Sequence, residues 1–283
     1  MKRVFIAGAT GYLGQFICKE YQTRGWHVTA LVRKSNKDVH LAADRIVEAE
    51  ATWPETLIGT MKDVDLVVSA LGITRQADGV GYWEVDYQAN VNLLEEALRS
   101  NVTRFAFVHV LNADRMESVP LVAAKAAFVR KLRSADIQTS VIAPTGYFSD
   151  MGDFLKMAMA GRVWLFGSGQ QRINPIHGAD LAAALFNAVQ DGAALAEIGG
   201  PDTFTQNDLA KLCFETLGTP PRITHLPDVL RRGALHLLPR LAPRRIAGPA
   251  QFFLTAGAMN MTAPPSGTRK LVDHFKSLVD RSN

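Results

Sequence analysis

The chain has 283 residues, of which 47% are apolar and 20% are charged. This composition supports a sizeable buried core and excludes a largely disordered protein. The net charge of +4 is concentrated in residues 222–245, which contain six arginines and one acidic residue; because the rest is close to neutral, the pattern argues against a nucleic-acid-binding protein.

The chain opens with a predicted strand, a glycine-rich turn and a helix. The apolar run of residues 4–7 is typical of a strand covered on both faces of a parallel sheet. Three glycines follow at intervals of three residues, in Gly8-Ala9-Thr10-Gly11-Tyr12-Leu13-Gly14. Glycine permits a sharp turn and the close approach of a phosphate, and the N-terminus of the following helix attracts anions. We therefore expect this turn to hold the pyrophosphate of a dinucleotide.

The second predicted strand, residues 26–32, ends at Arg33 and Lys34. In NAD-binding units an acidic residue about 20 residues after the glycines binds the ribose 2′-hydroxyl. Two cations suit a 2′-phosphate instead, and a guanidinium can bind it in bidentate geometry. The sequence thus predicts NADP(H) in preference to NAD(H). The alternative is that both cations are solvated charges at a strand end.

Strands and helices alternate over the next hundred residues. Strands are predicted at residues 45–50, 65–71, 104–111 and 137–143, and helices at residues 82–100 and 120–135. This alternation predicts an α/β fold with a doubly wound parallel sheet of the Rossmann type, which binds ligands at the carboxyl ends of its strands. We assign residues 1–145 to an NAD(P)-binding domain.

After Pro144, glycine-rich turns separate shorter elements. A helix at residues 178–189 is predicted to pack back on the sheet, with His177 and Asp180 capping it and fixing a loop. A short strand is predicted at residues 197–200, then a helix at residues 206–217 with Thr205 as its N-cap; the remainder is predicted to be helical and basic. We expect residues 146–283 to form a smaller, interleaved C-terminal subdomain that covers the substrate.

Five segments resemble the atypical short-chain dehydrogenases/reductases. They are the glycine-rich turn, Leu31-Val32-Arg33, Ser69-Ala70-Leu71-Gly72, Asp86-Tyr87-Gln88-Ala89-Asn90-Val91-Asn92-Leu93-Leu94 and Ile173-Asn174-Pro175-Ile176-His177-Gly178-Ala179-Asp180-Leu181-Ala182. The chain is similar to the branch that contains extended epimerases, NmrA-like regulators, isoflavone-type reductases and the respiratory complex I accessory subunit. The resemblance covers most of residues 1–200 and is weak beyond them.

The resemblance implies a cofactor site at defined positions. The pyrophosphate would be held by the glycine-rich turn, the 2′-phosphate by the cations after the second strand, the adenine amino group by an acid, the adenosine ribose by the segment after the fourth strand and the nicotinamide ribose by a lysine. These residues are Gly8, Thr10, Gly11, Tyr12, Leu13 and Gly14; Arg33 and Lys34; Glu50; Ala70, Leu71 and Gly72; and Lys125.

The reaction centre departs from the family pattern. Relatives place a tyrosine four residues before the lysine, whose charge lowers the tyrosine pKa so that the phenol exchanges a proton near neutral pH. Here the lysine is Lys125 and Leu121 stands in place of the tyrosine, while His109 stands where relatives have serine or threonine. We expect a tyrosine to be accommodated at position 121, at the edge of the pocket.

Three functions stay open. In the first, the chain is a reductase or isomerase of a small apolar or aromatic substrate: Lys125 acts as general acid or orients a water, His109 titrates near the working pH, and Tyr147 reaches the nicotinamide face. For these side chains the alternatives are a ribose ligand, a packed histidine and an aromatic lid without chemistry. In the second, the chain binds NADP(H) without turnover and reports redox state to a partner. In the third, it is a structural or assembly subunit.

The remaining features concern location and partners. Cys18 and Cys213 lie far apart and are expected to be reduced core thiols. We expect a cytoplasmic protein without secretory signal, membrane span or metal site, which acts on a small-molecule substrate as a monomer or homodimer. The arginine-rich residues 222–245 suit contact with a membrane surface or an acidic partner; the alternative is a surface helix with a solvated cationic face.

Overall fold

A computed structural model describes residues 1–33, 40–73 and 80–280. Its strands are β1 (Arg3–Ala7), β2 (His27–Val32), β3 (Arg45–Glu48), β4 (Leu66–Ser69), β5 (Arg104–Val108), β6 (Gln138–Pro144), β7 (Val163–Phe166), β8 (Arg172–Ile173), β9 (Leu195–Ile198), β10 (Phe204–Thr205) and β11 (Ile223–Leu226). Its α-helices are α1 (Tyr12–Thr23), α2 (Asn90–Arg99), α3 (Pro120–Arg133), α4 (Phe148–Met159), α5 (Gly178–Gln190), α6 (Gln206–Thr216), α7 (Asp228–Leu241), α8 (Arg244–Ala256) and α9 (Leu271–Asp280). Among the described residues, no helix combines the length and apolar content needed to cross a bilayer.

A parallel sheet of seven strands confirms the predicted doubly wound α/β architecture. The strand order is β3-β2-β1-β4-β5-β6-β9. Strand β1 pairs in parallel with both β2 and β4, so the chain winds outward from the middle of the sheet in two directions. The order reverses between β1 and β4, and in such sheets ligands bind beyond the carboxyl ends of the strands at this point.

The structure divides into two compact units. The first comprises Met1–Ala143 and Ala182–Ala196, and the second comprises Pro144–Leu181 and Glu197–Asn283. In the first unit, strand residues such as Phe5 and Phe107 share a core with Leu93 of α2 and Phe128 of α3. The boundary expected after residue 145, and the substrate-covering role of the part that follows, stay predictions.

The core of the second unit is built mainly by three helices and a strand. Its buried side chains include Phe148 and Leu155 of α4, Val163 of β7, Phe214 of α6 and Phe275 of α9. These residues alternate with polar ones along each helix, so each helix buries one apolar stripe.

At two helix starts in the second unit, Thr205 is confirmed as an N-cap and Asp180 as a residue that fixes a loop, while the capping of α5 by Asp180 stays a prediction. The Thr205 hydroxyl accepts a hydrogen bond from the N–H of Asp208 at 3.1 Å, as expected of an N-cap. The Asp180 carboxylate accepts from the N–H groups of Thr268 and Arg269 at 3.0 and 2.9 Å. This residue therefore fixes the loop that precedes α9.

The single helix predicted at residues 82–100 is interrupted. Residues Trp83–Ala89 form a π-helical segment before α2 begins. The buried Asn90 side chain bonds to this segment, because its amide nitrogen donates to the carbonyls of Val85 and Asp86, both at 3.1 Å. A side chain that bonds to the preceding turn in this way widens the helix locally.

The prediction that the chain is helical beyond residue 217 is confirmed by α7, α8 and α9 but is wrong at residues 223–226. Strand β11 pairs in parallel with β7, with Ile223 opposite Val163 and Leu226 opposite Phe166. The apolar run at residues 223–226 is too short to show helical periodicity. Its partner lies far away in the sequence, so only the folded chain reveals the pairing.

Candidate functional site

The glycine-rich turn lies at the carboxyl end of β1 and leads directly into α1. Gly8 has a φ of +79°, and a Cβ there would lie 2.8 Å from the carbonyl oxygen of Ala70. The N–H of Gly11 donates to the Gly8 carbonyl at 3.0 Å and closes the turn. A Cβ on Gly14 would run into that same carbonyl. The absence of side chains thus allows α1 to begin directly against the turn.

The first turn of α1 presents backbone N–H groups with no acidic side chain in that turn. Gly11 is the N-cap residue, and within the described parts of the chain no side chain caps this helix. The N–H of Gln15 bonds within the helix to the Gly11 carbonyl at 3.2 Å, and the amides before it belong to Tyr12, Leu13 and Gly14. A helix N-terminus carries the positive end of the helix dipole, so this arrangement suits a pyrophosphate.

The residues expected around the adenosine end follow neighbouring strands. Arg33 is exposed directly after β2, whereas Lys34 lies outside the described residues. Glu50 follows β3, and its carboxylate accepts from the Thr52 hydroxyl at 3.2 Å. Thr10 is exposed in the glycine-rich turn. Their contacts with a cofactor stay predictions.

The segment after β4 joins the glycine-rich turn to a buried lysine. On one side, Gly8 packs against Ala70. On the other, the carbonyl of Leu71 accepts from Lys125 Nζ at 3.4 Å, and a Cβ at Gly72 would lie 2.7 Å from that nitrogen. The turn and the lysine therefore lie at the same edge of the sheet.

Lys125 is a buried cation held by several partners. It lies in α3, and its Nζ donates to the Val108 carbonyl at the end of β5, at 3.3 Å. The same nitrogen lies 4.9 Å from the ring centre of Phe107 and 3.3 Å from Oδ1 of Asp86. A buried charge needs such partners because they replace the water that it has lost. The cluster therefore positions the ammonium group at the carboxyl ends of β4 and β5.

Asp86 is the charged member of this cluster that the sequence analysis missed. It lies in the π-helical segment, fully buried, and its Oδ2 accepts from the N–H of Ile73 at 3.3 Å. Burial raises the pKa of the Asp86 carboxyl to about 6, and the Lys125 ammonium opposes that rise. The sequence did contain a signal for its burial: Asp86 lies four residues before Asn90 and therefore on the same face of a predicted helix.

His109 follows β5, beside the Lys125 cluster, but its protonation differs from the expected one. Burial, together with the positive charges of Lys125 and Arg133, lowers the pKa of its imidazole to about 3. The expectation that His109 titrates near the working pH is therefore wrong. A neutral imidazole at this place can still accept or donate a hydrogen bond.

One buried polar atom of the cluster has unused hydrogen-bonding capacity. His109 Nδ1 forms no hydrogen bond with any residue that the structure describes, whereas Asp86 Oδ1 is paired with the Lys125 ammonium. An atom such as His109 Nδ1 is uncommon in protein interiors, and it fits a water or a polar ligand group. Together with the side-chain-free cradle at Gly8 and Gly14, it fits a nucleotide with a polar head. The described residues contain no cluster of His, Cys, Asp or Glu suited to a metal ion.

Two further positions complete the comparison with the sequence analysis. Leu121 is only 4% exposed, so the expectation that it lies at the edge of an open pocket is wrong. It lies one helical turn before Lys125 in α3, on the buried face of that helix. Tyr147 belongs to the second unit, where it precedes α4 and its N–H donates to Asp150 at 3.4 Å. Its catalytic role stays a prediction.

Comparison with known proteins gives a consistent result. Residues 8–191 match the model of a protein family described as NAD(P)H-binding. The chain is 27% identical over 265 residues to a divinyl chlorophyllide a 8-vinyl-reductase of Zea mays, which covers 84% of the chain but 65% of that reductase. The chain therefore spans less than two thirds of the reductase.

A second relative and a solved structure extend the comparison. The chain is 23% identical over 231 residues to a photosystem II assembly factor of Guillardia theta, covering 79% of the chain and 73% of that protein. Its fold is similar to that of an NADPH-dependent quinone oxidoreductase of Escherichia coli crystallised with NADPH. The TM-score is 0.77 at 17% identity, over 98% of this chain and 99% of the other. At this identity the likeness concerns the fold.

Proposed function

Because the chain belongs to the NAD(P)H-binding family whose model matches residues 8–191, we propose that it is an NADP(H)-dependent oxidoreductase, a reductase or isomerase, of a small apolar or aromatic substrate. The observation that carries the proposal is Lys125, a buried ammonium group at the edge of the sheet that also holds the glycine-rich turn. A vinyl reductase and a quinone oxidoreductase among the similar proteins support redox chemistry.

The cofactor would be held mainly by backbone groups of the first unit. The glycine-rich turn would bind the pyrophosphate, and residues 70–72 would line the adenosine ribose. Glu50 would bind the adenine amino group, and Arg33 the 2′-phosphate. When bound, the reduced nicotinamide supplies a hydride. The exposed guanidinium of Arg33, directly after β2, supports a preference for the phosphorylated cofactor.

Reduction also requires a proton, and the chain offers few donors for it. Leu121 has no exchangeable proton, and His109 is neutral near physiological pH. Among the candidate side chains of the first unit Lys125 remains: its ammonium donates the proton or orients the water that does, with Tyr147 of the second unit as the alternative donor. Asp86, 3.3 Å away, would hold Lys125 in place. Water entering the site would restore the proton that Lys125 gives up, and Asp86 could relay it because its carboxyl pKa is raised toward neutrality.

A second candidate function has its own support. Leu121 is buried where relatives have the catalytic tyrosine, and the chain resembles an assembly factor as well as a reductase. A protein that binds NADP(H) without turnover, and signals redox state or assists assembly, would retain the cradle and need no proton donor. Lys125 would then serve only to bind the nicotinamide ribose.

Oxidation of NADPH in the presence of quinones, enones and aldehydes separates the two functions. We expect turnover above background with at least one class, and a loss of roughly 100-fold or more in kcat for Lys125→Met, within the range of a lost proton donor. The control is Lys62→Met, which removes an exposed lysine and should leave kcat unchanged. Tight NADPH binding with background turnover throughout would favour the second function, and absence of binding would contradict both.

A further inference from the structure

Helix α7 presents an apolar surface to solvent. Although it is 14 residues long, it contains no fully buried residue. Leu230, Leu237 and Leu241 recur at intervals of seven and four residues and so lie on one face. They are 52%, 50% and 77% exposed, and Ile246 in α8 is similarly exposed. Contiguous exposed apolar side chains of this kind mark an interaction surface.

The opposite face of α7 is attached to its own unit. Arg231 is largely buried, and its guanidinium donates to Asp228 at 2.6 Å and to the Leu254 carbonyl of α8 at 3.2 Å. Leu235 and Leu238, on the same side, are partly buried. The exposed leucines therefore belong to a helix that is attached to its own unit. One of its arginines, Arg231, faces inward, so the cations of α7 do not all lie on a solvated face.

Three cations border the exposed leucines. Arg240, Arg244 and Arg245 are all exposed, and none of them forms an ion pair with any residue that the structure describes. Arg232, by contrast, is paired with Asp228 at 3.1 Å. Residues 229–246 contain no acidic side chain. The outward surface thus combines apolar side chains with uncompensated positive charge.

The exposed leucines and the arginines without ion pairs favour some partners for this surface over others. A second copy of the chain would bring the same uncompensated arginines together, which is unfavourable. A bilayer with acidic headgroups satisfies both components: the leucines enter the boundary of the acyl chains while the arginines remain at the phosphates. An acidic protein would satisfy the charges, but it requires a specific apolar counterpart.

We propose that the outer face of α7 and the start of α8 form a peripheral docking surface for an anionic lipid bilayer. The contacting side chains are Leu230, Leu237, Leu241 and Ile246, with Arg240, Arg244 and Arg245 around them. This inference does not depend on the proposed oxidoreductase activity, because the docking residues are separate from the cofactor cradle. It implies that the protein works beside a membrane.

Flotation of the full chain with lipid vesicles tests the proposal. We expect binding to vesicles of phosphatidylglycerol and phosphatidylcholine, and little binding to phosphatidylcholine alone. Binding should weaken between about 0.1 M and about 1 M salt, as the Debye length falls from about 10 to about 3 Å. The triple variant Arg240→Gln, Arg244→Gln, Arg245→Gln should lower the partition coefficient on the order of 100-fold.

Matched variants keep the test specific. The charge control is Lys62→Gln, Arg115→Gln, Lys211→Gln, which removes three exposed cations elsewhere. The apolar pair Leu237→Ser, Leu241→Ser should also lose binding, whereas Ile58→Ser, Leu195→Ser, at equally exposed positions, should retain it. Circular dichroism and thermal unfolding, measured on every variant, report that the fold is intact.

Three outcomes would overturn the proposal. The first is the absence of binding to acidic vesicles, and the second is an equal loss in the control variants. The third is binding to polyglutamate but not to vesicles, which would assign the surface to an acidic protein.

Discussion

The protonation of individual side chains sets the chemistry of the candidate site. Asp86 places a carboxylate 3.3 Å from the Lys125 ammonium, and His109, beside the same ammonium, is kept neutral. A reactive group at this edge of the sheet therefore meets one cation, one carboxyl and one neutral imidazole. The buried ion pair can be tested by removing its members singly and together.

We expect Asp86→Asn to lower the free energy of unfolding by about 3 kcal/mol, because it leaves Lys125 buried without a carboxylate. The double variant Asp86→Asn, Lys125→Met should be more stable than Asp86→Asn alone, and urea denaturation measures both. The control is Asp153→Asn, which breaks the exposed pair with Lys156 and should cost less than about 1 kcal/mol. If Asp86→Asn and Asp153→Asn lowered the free energy of unfolding equally, the buried ion pair would contribute no more than an exposed one.

The neutral state of His109 makes stability depend on pH. Its folded pKa, about 3, lies below the ordinary 6.5, so the unfolded chain takes up the proton first. The stability that the neutral imidazole of His109 contributes is fully present above about pH 6.5, and it is lost as the pH falls toward about 3.

His109→Gln should therefore lose less stability than the original chain between about pH 7 and about pH 5, by about 2 kcal/mol. Urea midpoints at the two pH values measure the difference. Asp86 titrates in both proteins, so its contribution cancels. His236→Gln, at an exposed position in α7, serves as the control. A decline as steep as that of the original chain would show that His109 is protonated in the folded state.

Arg33 is the described side chain on which the proposed preference for NADP(H) depends. We expect Arg33→Ala to weaken NADPH binding by about 1.5–3 kcal/mol, the range for a charge-assisted hydrogen bond, and to leave NADH binding nearly unchanged. Calorimetry with both cofactors checks this, and Arg115→Ala, also exposed, should change neither. An equal loss for both cofactors would remove the 2′-phosphate role.

At the level of single elements, the start of α1 depends on atoms that glycine lacks. Gly14 and Gly233 are both helical glycines, yet a Cβ on Gly14 would meet the Gly8 carbonyl while a Cβ on Gly233 would meet nothing within 4 Å. The same substitution is therefore expected to have opposite effects in α1 and α7.

Gly14→Ala should destabilise the chain by about 1–3 kcal/mol through overpacking and should weaken NADPH binding, because α1 must move away from the turn. Gly233→Ala should stabilise it by about 0.5–1 kcal/mol through helix propensity. Thermal unfolding with and without NADPH measures both. Stabilisation by both alanines would mean that the turn tolerates a side chain at position 14.

Across the full chain, the first unit is assembled from two separate stretches. Phe186 of α5 contacts the buried ring of Tyr21 with 4.9 Å between ring centres, and the N–H of Val141 in β6 bonds to the Ala194 carbonyl at 3.0 Å. A chain that ends after residue 145 lacks both partners.

We therefore expect residues 1–145 alone to unfold without a sharp transition and to bind NADPH poorly, because the surface around Tyr21 becomes exposed. A chain of residues 1–198 contains both stretches of the first unit. It should unfold in a sharper transition and bind NADPH more tightly than residues 1–145. Circular dichroism on heating and calorimetry with NADPH provide the measurements. Cooperative unfolding of the shorter chain would support an independent domain at the predicted boundary.

Much of the fold was predictable because its signals are local. The glycine spacing, the apolar strand runs and the Thr205 cap depend on residues within a few positions of one another. A doubly wound sheet follows from the alternation of strands and helices, since parallel strands require crossover connections.

The site was predictable only in part, because burial and pairing join distant residues. Asp86 reaches Lys125 across 39 positions, and that contact exists only once α3 packs beside the π-helical segment. The charge state of His109 likewise depends on the lost water around it, which no local pattern records. Sequence patterns therefore predicted where a nucleotide would fit, while three-dimensional packing decided which side chains stay charged beside that position. The physical reason is that desolvation and pairing energies depend on distances that arise only on folding.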